Sequence, residues 1–397
     1  MKPGILVSIR VRFLKQRKRR LEGLFAAWLL LVFLVTPVAA DGFKEEIEMG
    51  KEGAAEVAKQ YKFVTDPETT KPVETMGAAI AKIAREHEVP ASYGSSKLAP
   101  FDYSFKIIDD KDVNAFSLPG GHIYVNKGLL DYVQSDDELA GVLAHEIVHA
   151  SHHHIMQLVK EQNKQLLTMA IAVLAGAALG GQDVLQLAYG ANLVTIAKMS
   201  AYGQKAERDA DRTSIQYMIS AKYNPVGILT FMERLARDER RRPQVDWGIF
   251  RTHPPSHARA REIAREIERR GIEVNRRLVT TYLEVTVKEE DVEDNSAAEV
   301  WVGETQIIRL ADSGGDKAKT RAERVAKKLE DALLAGAHLR DVRIAGDGQY
   351  VTVRNDVIIA PTQEDADLAD STVPEVTAKA AKALRKTLWK ELVDQSY

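Results

Sequence analysis

Residues 135–149 run Ser-Asp-Asp-Glu-Leu-Ala-Gly-Val-Leu-Ala-His-Glu-Ile-Val-His. Ser135 and Glu138 make a Ser-x-x-Glu capping box, which opens a helix expected to run to about Gln162. His145 and His149 are four residues apart, so they leave the same helix face and two imidazoles can reach one metal ion. Glu146 stands beside them. A zinc ion lowers the pKa of a coordinated water to about 7, and a neighbouring carboxylate can take its proton and pass it to a leaving amine. Leu139, Val142, Leu143, Ile147 and Val148 make the rest of the segment apolar, so the helix reads as buried. Two histidines and a glutamate inside a buried helix need partners, and a metal supplies them.

Two imidazoles do not complete a site. The candidate third ligand is Glu207, 58 residues after His149, in Glu207-Arg208-Asp209-Ala210-Asp211. A carboxylate from a second helix gives a His2Glu set with a fourth position open, the catalytic pattern for zinc. Asp211, one turn further on, can accept a hydrogen bond from a ligand imidazole and fix its tautomer. Taken alone, Glu207 and Asp211 read as a solvated face, because Lys205, Arg208 and Arg212 flank them; the upstream motif reverses that reading. His152, His153 and His154 read as the polar end of the metal helix, where cationic histidine is favourable. His253 is either a donor to a developing oxyanion, a group approaching the metal, or a turn histidine fixed by Pro254-Pro255. There is no cysteine, so a zinc site here uses His, Asp or Glu.

These motifs resemble the HtpX-related and BepA-related zinc metallopeptidases of the gluzincin type, whose pattern is H-E-x-x-H followed by E-x-x-A-D. His145 to His149 and Glu207 to Asp211 meet it. Asn114 to Leu130 (NAFSLPGGHIYVNKGLL) is similar to the family's segment before the metal helix. Thr252-His253-Pro254 with Arg259 is similar to a later motif near the active site. The resemblance covers about residues 44–290. It implies a helix-rich α+β fold with a small sheet over the metal helix, one zinc per chain, endopeptidase activity and, for the exported branch, quality control of envelope proteins. The implied partners are unfolded or misassembled envelope proteins, with an outer-membrane or assembly-machinery partner in one branch. The helical repeats of that branch are not visible in this sequence.

A peptidase must hold an extended backbone beside its metal, and an exposed sheet edge does this by main-chain pairing. Asn114, Ala115 and Phe116 are the candidate edge, because they precede Pro119 and proline is confined to strand edges and ends. Gly120-Gly121 allow a bulge or a close backbone approach there. The alternative is an ordinary internal hairpin.

Around this centre, residues 45–61 and 73–87 carry helical periodicity, broken by Asp66-Pro67. Residues 190–222, 225–242 and 256–270 also read as helices. Leu278 to Val287 reads as strand and Glu289 to Asp294 as an acidic linker. Beyond it the pattern predicts a small α+β unit, 298–397, after a peptidase unit at 41–290. It comprises strands over 299–310, a helix over 316–335, strands at 341–345 and 350–359, and a last helix over 374–393. Ala318, Ala322, Val325, Leu329 and Leu333 share one face of its first helix.

The charge balance narrows partner and compartment. The first 40 residues hold eight of the 55 basic residues and one of the 57 acids. The remainder carries 47 bases and 56 acids, a net of −9, which argues against nucleic acid as the main partner. The basic segment, the apolar run Leu24 to Val35 and small residues up to Ala40 read as an export signal cleaved after Ala40, giving a periplasmic protein. An inner-membrane anchor is the alternative, although 12 apolar residues fall short of the roughly 20 needed to span. Leu166 to Leu179 is likewise too short to span and reads as a buried helix or flap, with membrane contact as the alternative. A periplasmic chaperone or assembly scaffold is the competing function. The presence of Glu146 argues against it, since a scaffold has no need of that base.

Overall fold

The computed structural model describes residues 42–161, 203–241, 249, 253, 257–281, 283–292 and 295–395. The expected export segment, the apolar stretch 166–179, and Thr252 and Pro254 lie outside the described residues. Among the described residues no helix is long and apolar enough to cross a membrane.

The chain opens with helices α1 (Gly42–Gln60) and α2 (Pro67–Glu86). Asp66 caps α2, accepting from the Glu68 amide and the Thr69 hydroxyl at 3.3 and 2.8 Å, and Pro67 takes the first helical position, where a missing amide costs nothing. Three short strands follow: β1 (Ser104–Ile108), β2 (Ala115–Leu118) and β3 (His122–Asn126). The sheet order is β1-β3-β2, with β1 parallel and β2 antiparallel to β3. Alternation along the strands sorts their side chains. Phe105, Ile107, Ala115, Ile123 and Val125 join the main core with α2, while Tyr124, Ile108 and Leu118 meet Val57 of α1 on the other face.

A single turn, α3 (Lys127–Leu130), leads to the metal helix α4 (Asp136–Ser151). Ser135 accepts from the Glu138 amide at 3.2 Å, as the capping box requires, but the Glu138 carboxylate reaches the Gln134 amide at 2.8 Å instead of closing the box on Ser135. The expected helix to Gln162 is broken. His152 and His153 leave the helical path, His153 with φ of 55°, and a new helix α5 covers residues 154–161. Helices α6 (203–220), α7 (Val226–Arg241) and α8 (His257–Arg269) complete this unit. At the crossing of α4 and α7 a Cβ on Gly141 would lie 2.8 Å from the Ile228 Cβ, and one on Gly227 would lie 2.3 Å from the Asp137 carbonyl oxygen, so only glycine permits this approach. The buried Glu138–Arg234 pair, bidentate at 2.8 and 2.5 Å, bolts the same two helices together.

The second unit has its own core. Strands β4 (Val285–Val292), β5 (Asn295–Val302) and β6 (Thr305–Ala311) form one antiparallel sheet, followed by α9 (Ala318–Leu334). Strands β7 (Val342–Ala345), β8 (Tyr350–Val353) and β9 (Asp356–Ile359) form a second, with α10 (Gln363–Leu368) and α11 (Val373–Gln395) after it. Val300, Ile308, Leu329, Leu333, Val351 and Leu384 meet inside. The whole is α+β, as the sequence implied. One boundary moves: the stretch 289–294, expected as a linker, carries the ends of β4, which pairs with β5 along its whole length, so the second unit begins before residue 290.

Candidate metal centre

Helix α4 delivers His145 and His149 to one point, with their Nε2 atoms 3.1 Å apart. Helix α6 delivers Glu207, whose Oε2 lies 3.4 Å from His145 Nε2 and whose Oε1 lies 3.4 Å from His149 Nε2. His253 completes the group, its Nδ1 being 3.3 Å from His145 Nε2 and 2.9 Å from Glu207 Oε1. A tetrahedron with metal–ligand bonds of about 2.1 Å has edges of about 3.4 Å, so the donor atoms fit a four-coordinate ion. These four residues form one of two groups among the described residues that could hold a metal. The predicted ligands His145, His149 and Glu207 thus converge. His253 Nδ1 faces the same point as the two α4 imidazoles and Glu207. Its Nε2 faces Glu146 Oε1 at 3.2 Å.

The surroundings set the charges. Burial alone would raise the Glu207 carboxyl, but the positive charge on His253 and the hydrogen bonds from His145, His149 and His253 hold it well below its usual range. Burial pulls His149 down to about 4, which leaves it neutral with a lone pair to offer. Asp211 Oδ1 lies 3.3 Å from His145 Nδ1, beside the imidazole as expected, but without hydrogen-bond geometry. Arg259 grips Asp211 with Nε and Nη2 at 2.8 and 2.7 Å and also reaches Glu207 Oε2 at 2.9 Å. That guanidinium outweighs the burial of Asp211 and keeps its carboxyl low. Glu146 is buried, and its Oε2 has no hydrogen-bond partner among the described residues. An unpartnered buried carboxylate oxygen is costly, and it fits a position reserved for a proton-bearing ligand.

The histidine run departs from expectation. His152, His153 and His154 are all buried, and each has an acid. His152 Nδ1 meets Asp209 Oδ2 at 2.5 Å, His154 Nε2 meets the same oxygen at 3.1 Å, and His153 Nδ1 meets Glu46 Oε2 at 2.6 Å. A polar helix end in water needs no such partners. The break at His153 turns these side chains inward, and periodicity could not reveal a break. Asp209 was also missed. Lying two residues from both Glu207 and Asp211, it points to the other side of α6, and only the burial of that second side exposes its role.

The expected substrate edge is also present, though not as an open strand. β2 is an edge of its sheet and packs against α4. Ala115 is fully buried, Asn114 and Phe116 are half-buried, and the Val113 carbonyl accepts from the Ile249 amide at 3.2 Å. The neighbouring chain at Ile249 therefore occupies part of that edge in this conformation. Of the two alternatives for Gly120-Gly121, the close approach is the one present: the pair forms a tight turn with Pro119 between β2 and β3, and a Cβ on Gly120 would lie 3.3 Å from Ile47 Cα of α1.

Comparison with known proteins agrees with this geometry. Residues 78–267 match the model of peptidase family M48, and residues 299–391 match a domain of unknown function, DUF8459. The beta-barrel assembly-enhancing protease of Escherichia coli K12 is 27% identical over 222 residues, which are 54% of this chain and 42% of that protein. The metalloprotease LoiP of the same organism is 32% identical over 169 residues, 43% of this chain and 64% of LoiP. The mitochondrial metalloendopeptidase OMA1 of Schizosaccharomyces pombe is 29% identical over 169 residues, 42% and 48% of the two chains. The chain thus spans less than half the length of the first of these relatives.

Proposed function

We propose that this chain, whose residues 78–267 match the model of peptidase family M48, is a zinc-dependent endopeptidase that cleaves unfolded or misassembled proteins of the cell envelope. His145, His149 and Glu207 would hold the zinc. Bound there, zinc would supply Lewis acidity and make water a nucleophile near neutral pH. Glu146 takes the proton from that water and delivers it to the departing amine. Asp211 and Arg259 hold His145 and Glu207 in place. His253 would give up its place beside Glu207 to water and substrate, and its ring would then donate to the carbonyl oxygen under attack.

Substrate pairs with β2 as an added strand. The Asn126 amide donates to Asn114 O at 2.9 Å, so residues 114, 116 and 118 bond inward to β3 and the amides of 115 and 117 point outward. A peptide taking that edge competes with Ile249. The His253 amide donates to Ile249 O at 2.8 Å, so displacing Ile249 also draws His253 from its corner.

The observation that carries the reading is Glu146, a buried carboxylate with one unsatisfied oxygen beside a four-donor cluster. It also weighs against a periplasmic chaperone or assembly scaffold, which needs the fold and not the base. The name of one relative, a beta-barrel assembly-enhancing protease, supports an envelope substrate and an assembly-machinery partner. Export with cleavage after Ala40 accompanies that reading, and the mature mass from cells tests it. The central test is casein digestion by purified protein with and without a chelator, with bound metal measured. Wild type should carry one zinc per chain and lose activity on chelation. Glu146→Gln should keep the zinc and lose about 10²–10⁴ in turnover, whereas Glu207→Ala should lose metal as well. Full proteolysis by Glu146→Gln would overturn the proposal.

A further inference from the structure

The second group of metal-capable side chains, His152, His154 and Asp209, lies directly behind the first. His154 Nδ1 stands 3.1 Å from His149 Nδ1, the ring nitrogen turned away from the metal corner. His154 Nε2 faces Asp209 Oδ2 at 3.1 Å and the Tyr93 carbonyl at 3.2 Å. The other Asp209 oxygen accepts from the Ser92 amide and hydroxyl at 2.5 and 2.7 Å. We infer that His154 is a positioning residue for the metal, accepting the Nδ1 proton of His149 and anchored in turn by Asp209 and the loop at residues 92–95. This rests on the proposed zinc site and adds to it a residue outside the ligand set.

With His154 neutral, the proton arrangement has one consistent solution. The Tyr93 carbonyl and the Asp209 carboxylate can only accept, so His154 Nε2 carries a proton. A neutral His154 then has a lone pair on Nδ1, and His149 Nδ1 must donate to it. That leaves His149 Nε2 unprotonated toward Glu207 and His145, the tautomer a metal needs. The two ligand histidines therefore have different neighbours at Nδ1, the Asp211 carboxylate at 3.3 Å for His145 and an intermediate imidazole for His149.

The fold is shaped to make this contact. Residues five apart on a continuous helix point about 140° away from each other. The left-handed His153 breaks the helix and swings His154 back over His149, with the two rings at 85° and 4.9 Å between centroids. The loop after α2 closes on the break: the Ser95 amide donates to His152 O at 2.9 Å, and a Cβ on Gly94 (φ of 87°) would lie 2.1 Å from that oxygen.

A second ion at His152, His154 and Asp209 is the competing account. The 2.5 Å separation of His152 Nδ1 and Asp209 Oδ2 is that of a hydrogen bond, well below the roughly 3.4 Å edge of a tetrahedral site. The Tyr93 carbonyl against His154 Nε2 also requires a proton where a metal would need a lone pair.

Two isosteric variants separate the ends of the His154 ring. In His154→Asn the amide oxygen takes the place of Nδ1 and can accept from His149. In His154→Gln the amide nitrogen takes the place of Nε2, and the acceptor for His149 is lost. Zinc affinity is measured by competition with a chromophoric chelator on the full chain, alongside stoichiometry and the thermal midpoint in excess chelator. Expected is a loss of about 10- to 100-fold in zinc affinity for His154→Gln, and retention within about threefold for His154→Asn. Equal affinities in all three proteins would overturn the inference while leaving the zinc site standing. So would a common loss in both variants that tracks their chelator-state midpoints. Two zinc ions in wild type and one in both variants would assign the cluster to a second ion. Absence of zinc from wild type would instead remove the site on which the inference rests.

Discussion

His153 and Glu46 show how a single pair can be read from charge and burial together. The contact ties α1 to the break after the metal helix, with Phe43 and Phe101 packed against the ring. Burial alone would lower the His153 imidazole, but the hydrogen bond and charge of Glu46 outweigh it and raise its pKa. An unfolded histidine titrates near 6.5. The folded value lies above that, so the stabilisation is complete below about pH 6.5 and is lost as pH rises through the folded value. Amide exchange in α1, corrected for intrinsic rates, should therefore quicken from pH 6 to pH 8.5, and Glu46→Gln should abolish the difference. An α1 equally protected at both values would remove this account. At the same scale, His253→Ala should keep zinc and slow cleavage of unfolded casein about 10²-fold, because a donor to the carbonyl oxygen under attack is lost; unchanged or faster cleavage would show that the ring only blocks the position. His145, His149, Glu207 and Asp211 were legible because helical spacing puts them on shared faces. Asp209 and His154 were not, because their role depends on which second face is buried and on a break of one residue.

At the scale of elements, the metal helix depends on its start as much as on its ligands. Ser135 caps α4 and also donates to the Val279 carbonyl at 2.7 Å. Ser135→Ala should cost about 1 kcal/mol, the usual loss for an N-cap, read as a shift of the urea midpoint without a change of slope. Strand β2 carries a sharper expectation. Ala115→Pro removes an amide that points away from β3, so it should leave the sheet's own ladder intact and zinc bound, while peptide hydrolysis falls at least about tenfold as an outward pairing donor is lost. Normal hydrolysis by a folded, zinc-loaded variant would dismiss β2 as the substrate edge. The helices before and after the sheet were readable from Asp66-Pro67, from capping and from apolar spacing. The occupied state of β2 was not, because the group on Val113 comes from Ile249, far along the chain. In the second unit the buried face of α9 follows Ala318, Ala322, Leu329 and Leu333 as read, while the β4–β5 hairpin was missed because its acidic residues resemble a solvated linker.

The two units of the molecule are joined at residues 275–277. Arg276 turns back to Glu233 of α7 at 2.8 and 2.7 Å. Arg277 turns forward, pairing with Glu391 of α11 at 2.8 and 2.6 Å and donating to the carbonyls of Leu333 and Ala337 at 2.9 and 2.7 Å. Asn275 adds a bond to Leu334 O at 2.8 Å. Arg277→Ala removes the guanidinium that joins Glu391 and the end of α9 to the first unit and should split one unfolding transition into two, seen by calorimetry; a single transition would show that the units do not rely on this clamp. Adjacent arginines with opposite allegiances have a mechanical meaning. Val279 packs in the first core and Leu283 in the second, so the polypeptide passes from one unit to the other after Val279 and before Leu283. The residues that grip the second unit lie upstream of that crossing. A protease that nicked it would sever the covalent thread and leave the grip in place, so the two fragments should still travel together through a sizing column and part only in denaturant.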